Sequence, residues 1–297
     1  MDIAVTGASG LIGTALTRSL TAHGHRVLRL VRRDGGGSDT IRWDPAAGTI
    51  DAAGLEGIDA VVHLAGEGIG ERRWSAEQKE RIRSSRTLGT GLIARTVAGL
   101  TSPPKVLLSG SAIGFYGDTG DRVVDESAPA GSDFLASVCV EWEAAAGAAA
   151  EAGIRTAFLR TGIVLSPDGG ALGKVLPIYK LGGGGRSGSG RQWWSWISLD
   201  DHVAATEFLL TADVAGPVNL VAPNPVTNAE YVKALGRAVH RPTTITPMFG
   251  PRLLLGKELA DSLLLTSTRV APAALIAAGF EFGQPDLDGA LRSVLAA

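Results

Sequence analysis

Three evenly spaced glycines stand near the start of the chain. TGASGLIG, residues 6–13, sets Gly7, Gly10 and Gly13 in G-x-x-G-x-x-G spacing directly after the apolar run IAV. Residues this small let the backbone turn sharply and approach a pyrophosphate, and a helix opening there would offer free N–H groups to the anion. The motif points to a dinucleotide held around Thr6, Gly7, Ser9, Gly10, Leu11, Ile12 and Gly13. The next apolar run ends LRLVRRD (28–34). Where an NAD site carries an acid for the ribose hydroxyls, this one carries Arg32 and Arg33, which suit a 2′-phosphate. NADP(H) is therefore the expected cofactor, although Asp34 keeps the NAD reading open and two arginines can also simply solvate a turn.

Two further stretches could hold a substrate. GEGIGERRW (66–74) gathers Glu67, Arg72, Arg73 and Trp74, and arginine beside an aromatic suits an anionic or ring-bearing ligand. The plain alternative is a solvated helix start with a packed tryptophan. GRQWWSWISLDD (190–201) holds three of the six tryptophans, Trp193, Trp194 and Trp196. Strand alternation would send Trp194 and Trp196 to one face and Trp193 to the other. These tryptophans form either a substrate wall or an apolar seam between domains. Asp200 and Asp201 read as a helix N-cap pair. His63, inside an apolar run, reads as a core histidine, and the other four histidines are too scattered for a metal site.

Elements of two kinds must position these residues. Apolar runs at 3–7, 27–31, 59–66, 105–110 and 156–165 alternate with stretches of helical spacing. Continuous apolar strands separated by helices predict a parallel sheet covered on both faces, a doubly wound α/β domain of Rossmann type. Residues 1–165 would form it, with 200–222 returning to it. Residues 166–199 and 223–297 would make a smaller C-terminal substrate or cap region, and the glycine-rich KLGGGGRSGSGRQWW (180–194) reads as a mobile loop within it. A length of 297 residues with 45% hydrophobic content allows a well-buried core, and a net charge of -2 gives no footprint for nucleic acid or an anionic membrane. A single cysteine, Cys139, excludes a disulfide framework. With no leader-like or membrane-spanning run, a cytoplasmic protein acting on a small molecule is the expectation.

TGASGLIG, DAVVHLAG (59–66) and SGSAIGFYG (109–117) together resemble the extended short-chain dehydrogenase/reductase superfamily, in its branch of nucleotide-sugar epimerases and dehydratases. A closer likeness is to the subgroup labelled "epimerase family protein", carried by WDPAAG (43–48), IRSSR (82–86), Trp142-Glu143, SWISLDD (195–201) and the C-terminal GKELADSLLLTSTRVAPAALIAAGFEF. The resemblance implies NADP(H) on a Rossmann domain, with Asp44 near the adenine and Leu64, Ala65, Gly66 and Glu67 along the cofactor. It also implies a tryptophan wall at the substrate, and a homodimer is a common assembly among such enzymes.

The superfamily's proton transfer uses a Tyr-x-x-x-Lys pair and a Ser or Thr. The lysine lowers the tyrosine pKa and the hydroxyl polarises the substrate oxygen. Ser111 matches the hydroxyl position. The pair is missing: FLASV places Phe134 at the tyrosine and Val138 at the lysine, and none of the three tyrosines has lysine four residues on. RTLGT (86–90) likewise puts Arg86 where an asparagine is expected. Tyr116, nearest Ser111 in sequence, is the candidate replacement acid, with Glu67 a second. The expected function is an oxidoreductase or isomerase acting, with atypical proton transfer, on a small polar substrate, a nucleotide-sugar-like one being a candidate. A non-catalytic NADP(H)-dependent sensor is the alternative.

Overall fold

The apolar runs form strands because each must bury both faces. In β1 (Asp2–Thr6), Ile3 and Val5 enter one core and Ala4 the other. The same alternation divides Val62 from Val61 in β5 (Ala60–His63) and Leu108 from Leu107 in β6 (Val106–Ala112). The computed structural model describes residues 1–33, 37 and 39–296. Asp34, which kept the NAD reading open, lies outside them.

Between these strands come β2 (Arg26–Val31), β3 (Thr40–Asp44) and the short β4 (Thr49–Ile50). Beyond them lie β7 (Arg155–Thr161) and β8 (Gly216–Leu220). The sheet order is β8-β7-β6-β5-β1-β2-β3-β4, parallel throughout except for β4 against β3. The chain winds away from β1 in both directions, so the doubly wound fold is as expected. The crevice between β1 and β5 is the switch point where such sheets take ligands.

Helix α1 (Leu11–Ala22) and helix Leu199–Thr211 cover one face. On the other, α2 (Ala76–Ala98) packs Leu92, Ile93 and Val97 against the sheet. Ser75 starts α2 by accepting the Gln78 N–H, and Asp133 does the same for α3 (Phe134–Ala144) through the Ala136 N–H. A third core joins Leu165, Leu172, Trp196, Tyr231, Leu235 and Leu291. Helix Ala273–Ala277 returns Leu275 to the first core. Among the described residues, no helix is long and apolar enough to cross a membrane, and no cluster of side chains could hold a metal ion.

Two local expectations need correction. The glycine-rich stretch is an ordered part of the packing. Residues Gly185–Ser187 pair with Thr244–Thr246, and the buried Gln192 amide donates to the carbonyls of Ser187 and Leu264. The cap of helix Leu199–Thr211 is Ser198, which accepts the Asp201 N–H. Asp201 instead clamps the returning chain, its carboxylate accepting the N–H groups of Gly283 and Gln284.

Candidate functional site

The turn after β1 needs its glycines for measurable reasons. Gly7 has φ +66°, and a Cβ there would lie 2.9 Å from the Leu64 carbonyl carbon; at Gly13 a Cβ would lie 2.1 Å from the Gly7 oxygen. Close approach of the turns after β1 and β5, and of α1 to its own turn, forbids side chains at both positions. Gly10 precedes α1 with no side-chain cap, and the first turn of α1 carries no acid. Its N-terminal N–H groups are left for an anion. Ser9 and Gly10 are exposed on this turn, while Leu11 packs near Gly169 and Gly170.

Thr6 works from beneath. It is fully buried, and its hydroxyl accepts from the N–H groups of Leu64 (3.0 Å) and Ala65 (3.1 Å). With both lone pairs used, its proton goes to His63 Nδ1, 2.8 Å away. The Thr6 side chain therefore braces the two turns and has nothing left for a ligand. His63 is a core residue, pushed down to about 4 by burial and neutral.

At the same sheet edge, Arg32 and Arg33 are exposed just beyond β2. Asp44, exposed at the end of β3, accepts the N–H groups of Ala46 and Ala47 and so shapes the turn that follows. Gly66 is exposed, with Leu64 and Ala65 half-buried beside it. The Glu67 backbone is fixed from α2, where Ser85 accepts its N–H and Arg86 donates to its carbonyl.

The proposed proton donors are placed differently. Ser111 Oγ donates to Glu143 Oε1 at 2.6 Å, and that carboxylate forms a two-pronged pair with Arg160 at 2.8 Å on each side. Arg160 also donates to the Tyr116 hydroxyl (2.9 Å), which donates to Asn219 Oδ1 (2.7 Å). Asn219 Nδ2 continues to the Ala271 carbonyl. Arg160 is 3% exposed, Tyr116 4% and Ser111 5%. Burial raises the Tyr116 pKa above its ordinary value, only partly offset by Arg160. Both hydroxyls are held in one buried network. Glu143 and Arg160, its centre, received no role from the sequence, though Arg160 is a lone charge within an apolar stretch.

Phe134 lies edge-on to Trp74, with centroids 5.0 Å apart, under the Lys79 ammonium, which pairs with Glu258. Val138 is buried and lines a cavity of about 260 Å³ between α3, the end of β7 and residues 262–268. Arg86 lines it too, its guanidinium 4.9 Å from the centre of the Trp142 ring. Burial pushes the Arg86 pKa down and, chiefly by the same cause, the Cys139 thiol up to about 12. Neither Ser111 nor Tyr116 lines this cavity. A shallower depression lined by Lys233, Arg237, His240 and Arg241 shares no residue with it.

The tryptophans separate. Trp193 and Trp194 line the cavity, but Trp196 is fully buried in the third core and donates to the Asn224 carbonyl. Trp196 as a substrate contact is thus corrected. Alternation fails because the strand breaks at Ser195: Trp193–Trp194 pairs with Val226–Thr227, whereas Trp196–Ser198 pairs with Ile163–Leu165. Trp74 donates to the Ile69 carbonyl beside Phe134, and Arg72 is exposed; neither lines the cavity.

A glycine turn at the switch point of a doubly wound sheet defines a dinucleotide-binding α/β protein. Residues 3–221 match the NAD dependent epimerase/dehydratase family and residues 246–294 a domain of unknown function, DUF1731. The chain belongs to that epimerase/dehydratase family. It is 46% identical to the epimerase family protein Mb2239 of Mycobacterium bovis, over 97% of this chain and 96% of that one. The crystal structure of human epimerase family protein SDR39U1 (isoform 2) with NADPH superposes with TM-score 0.91 at 34% identity, covering 100% of this chain and 99% of that one. A nucleoside-diphosphate sugar epimerase from Corynebacterium glutamicum superposes with TM-score 0.81 at 38% identity, covering 99% of this chain and 58% of the other.

Proposed function

We propose that this protein is an NADP(H)-binding oxidoreductase of the epimerase-like short-chain dehydrogenase/reductase type, acting on a small molecule with an atypical proton path. The observation that carries the reading is the turn at Gly7 and Gly13, where neighbouring backbone leaves no room for a Cβ and α1 begins without a side-chain cap. The α1 N-terminus would hold the pyrophosphate, Arg32 and Arg33 the 2′-phosphate, and Leu64–Gly66 would lie along the cofactor. Bound there, NADP(H) supplies hydride chemistry. The chain supplies orientation through the Thr6 brace and a largely apolar cavity that limits water beside it.

The proton path does not follow the family pattern. Phe134 has no proton to give, Val138 no charge, and the hydroxyls of Ser111 and Tyr116 are bonded inside the network. That last observation favours a second reading, an NADP(H)-dependent sensor without turnover. Titration with NADPH and NADH, followed by a panel of carbonyl substrates added to the saturated complex, separates them. Preferential NADPH binding with oxidation by some carbonyl supports the enzyme. NADPH that persists across the panel supports the sensor, and absence of NADPH binding refutes both.

A further inference from the structure

The walls of the cavity carry one cation, Arg86, and one acid, Asp133. The protein engages both. Arg86 donates to the carbonyls of Glu67 and Ile82, lies over the Trp142 ring and is attracted by the Glu67 carboxylate. Asp133 caps α3 by accepting the Ala136 N–H. An ion entering between these two opposite charges would lose its hydration for little return. The cavity also adjoins the stretch expected along the cofactor, since a Cβ at Gly66 would lie 3.4 Å from the Arg86 guanidinium carbon.

The other polar groups of the wall are neutral, and most are bonded within the protein. Ser195 donates to the Thr268 carbonyl and accepts the Val270 N–H, Thr268 donates to the Gly117 carbonyl, and Thr161 bonds His202. Among the described residues, the hydroxyls of Ser262 and Thr266 and the Trp194 indole N–H have no hydrogen-bond partner. Ser262 belongs to helix Lys257–Leu264 and Thr266 follows it. Both hydroxyls therefore come from the segment matched to the domain of unknown function. Around them the wall is mostly apolar, with Leu135, Val138, Ile163 and Leu263 beside the rings of Trp193 and Trp194.

We infer that the cavity binds an uncharged ketone or aldehyde of one or two rings, its carbonyl oxygen accepting from Ser262 and Thr266 and its body against Trp193 and Trp194. The C-terminal segment is then the part of the chain that selects the ligand. A carbonyl oxygen has two lone pairs, one for each hydroxyl. Size agrees: the cavity, about 260 Å³, falls below the roughly 300–1,000 Å³ usual for drug-sized ligands. A nucleotide sugar is larger, and its pyrophosphate asks for several charged donors where this wall has one engaged guanidinium. As the substrate of the oxidoreductase this ligand rests on the function proposed above; its binding can be measured without it.

Calorimetric titration of the full chain with 2-acetylnaphthalene, the anion 2-naphthoate, the oxygen-free 2-ethylnaphthalene and UDP-glucose tests the assignment. The ketone should bind in preference to the other three. Ser262→Ala with Thr266→Val should weaken the ketone about fivefold or more, the size of a lost hydrogen bond between neutral groups, and leave 2-ethylnaphthalene unchanged. The hydrocarbon thus separates a lost hydrogen bond from a folding defect. No binding of the ketone, a preference for 2-naphthoate or UDP-glucose, or a double variant that spares the ketone or weakens ketone and hydrocarbon alike would each overturn the proposal. The ketone titration is repeated on NADPH-saturated protein, where displacement of the ketone would give the cavity to the cofactor's own ring and overturn it too. NADPH is also titrated alone, so a failure of the cofactor reading shows there.

Discussion

The turn after β1 and the segment after β6 stand at the same edge of one sheet, yet their polar groups point in opposite directions. At the first, the side chains are small or turned inward, and the helix N–H groups remain for a ligand. At the second, the hydroxyls that a proton-transfer site would present are turned inward, onto the Glu143–Arg160 pair. A motif position therefore does not fix what a hydroxyl does. Once two charges are buried beside it, their unfilled hydrogen-bonding sites claim it, because leaving them empty in a low dielectric costs more than losing an exposed hydroxyl.

The largest effect should come from breaking that pair. Glu143→Gln leaves the Arg160 guanidinium buried without a counter-charge and should cost about 3–5 kcal/mol in urea unfolding. Replacing both partners by apolar residues, Glu143→Leu with Arg160→Met, should cost much less than the two single losses together. If the regions are as separate as the geometry suggests, whatever Glu143→Gln protein remains folded should keep its NADPH affinity within about twofold, well below the 1.4 kcal/mol that a tenfold change represents. A tenfold change would instead join them into one unit.

Each region also rests on a buried histidine. His63 lies under Thr6, and His202 bonds Thr161 at the end of β7. Burial pushes both from 6.5 down to about 4. Between those values the unfolded chain takes up a proton that the folded chain refuses, so stability rises with pH across the window. It is complete above about 6.5 and falls as pH drops toward 4, by up to about 3 kcal/mol for each histidine. Urea midpoints measured from pH 7 to 4.5 should fall accordingly. A fall of about half that size would mean that one histidine takes up its proton in the fold, and a flat profile that both do.

The cofactor turn and the sheet were legible because both follow from local rules. Glycine spacing reports backbone geometry directly, and apolar runs report strands buried on two faces. The network was not, because its partners lie 17, 32, 44 and 103 positions apart along the chain. Arg160 is a lone charge in the apolar run 156–165, but nothing in one dimension pairs it with Glu143. Trp196 was misread because period-two alternation assumes an unbroken strand, and the break at Ser195 is made by pairing with two different partners. The glycine-rich stretch misled because composition says nothing of Gln192, whose amide ties it down.

On the cofactor side, Arg32→Ala with Arg33→Ala should weaken NADPH about tenfold more than NADH, the size of one charge-assisted hydrogen bond. Equal losses would remove the 2′-phosphate from that edge, and the contrast between an open and a closed region would then rest on the glycine turn alone.

The smallest effect separates two roles for one hydroxyl. Tyr116→Phe leaves Asn219 Oδ1 and one Arg160 N–H short of a partner while the ring stays in place. A bracing role predicts a loss of about 1 kcal/mol in stability, with any NADPH oxidation unchanged. A proton-donating role predicts a fall in kcat of about a hundredfold or more, with stability nearly unaltered. Because burial raises the Tyr116 pKa, the bracing role also predicts no phenol ionisation in the pH-rate profile up to pH 10. A basic limb that disappears in Tyr116→Phe would reopen the segment after β6 as the proton path.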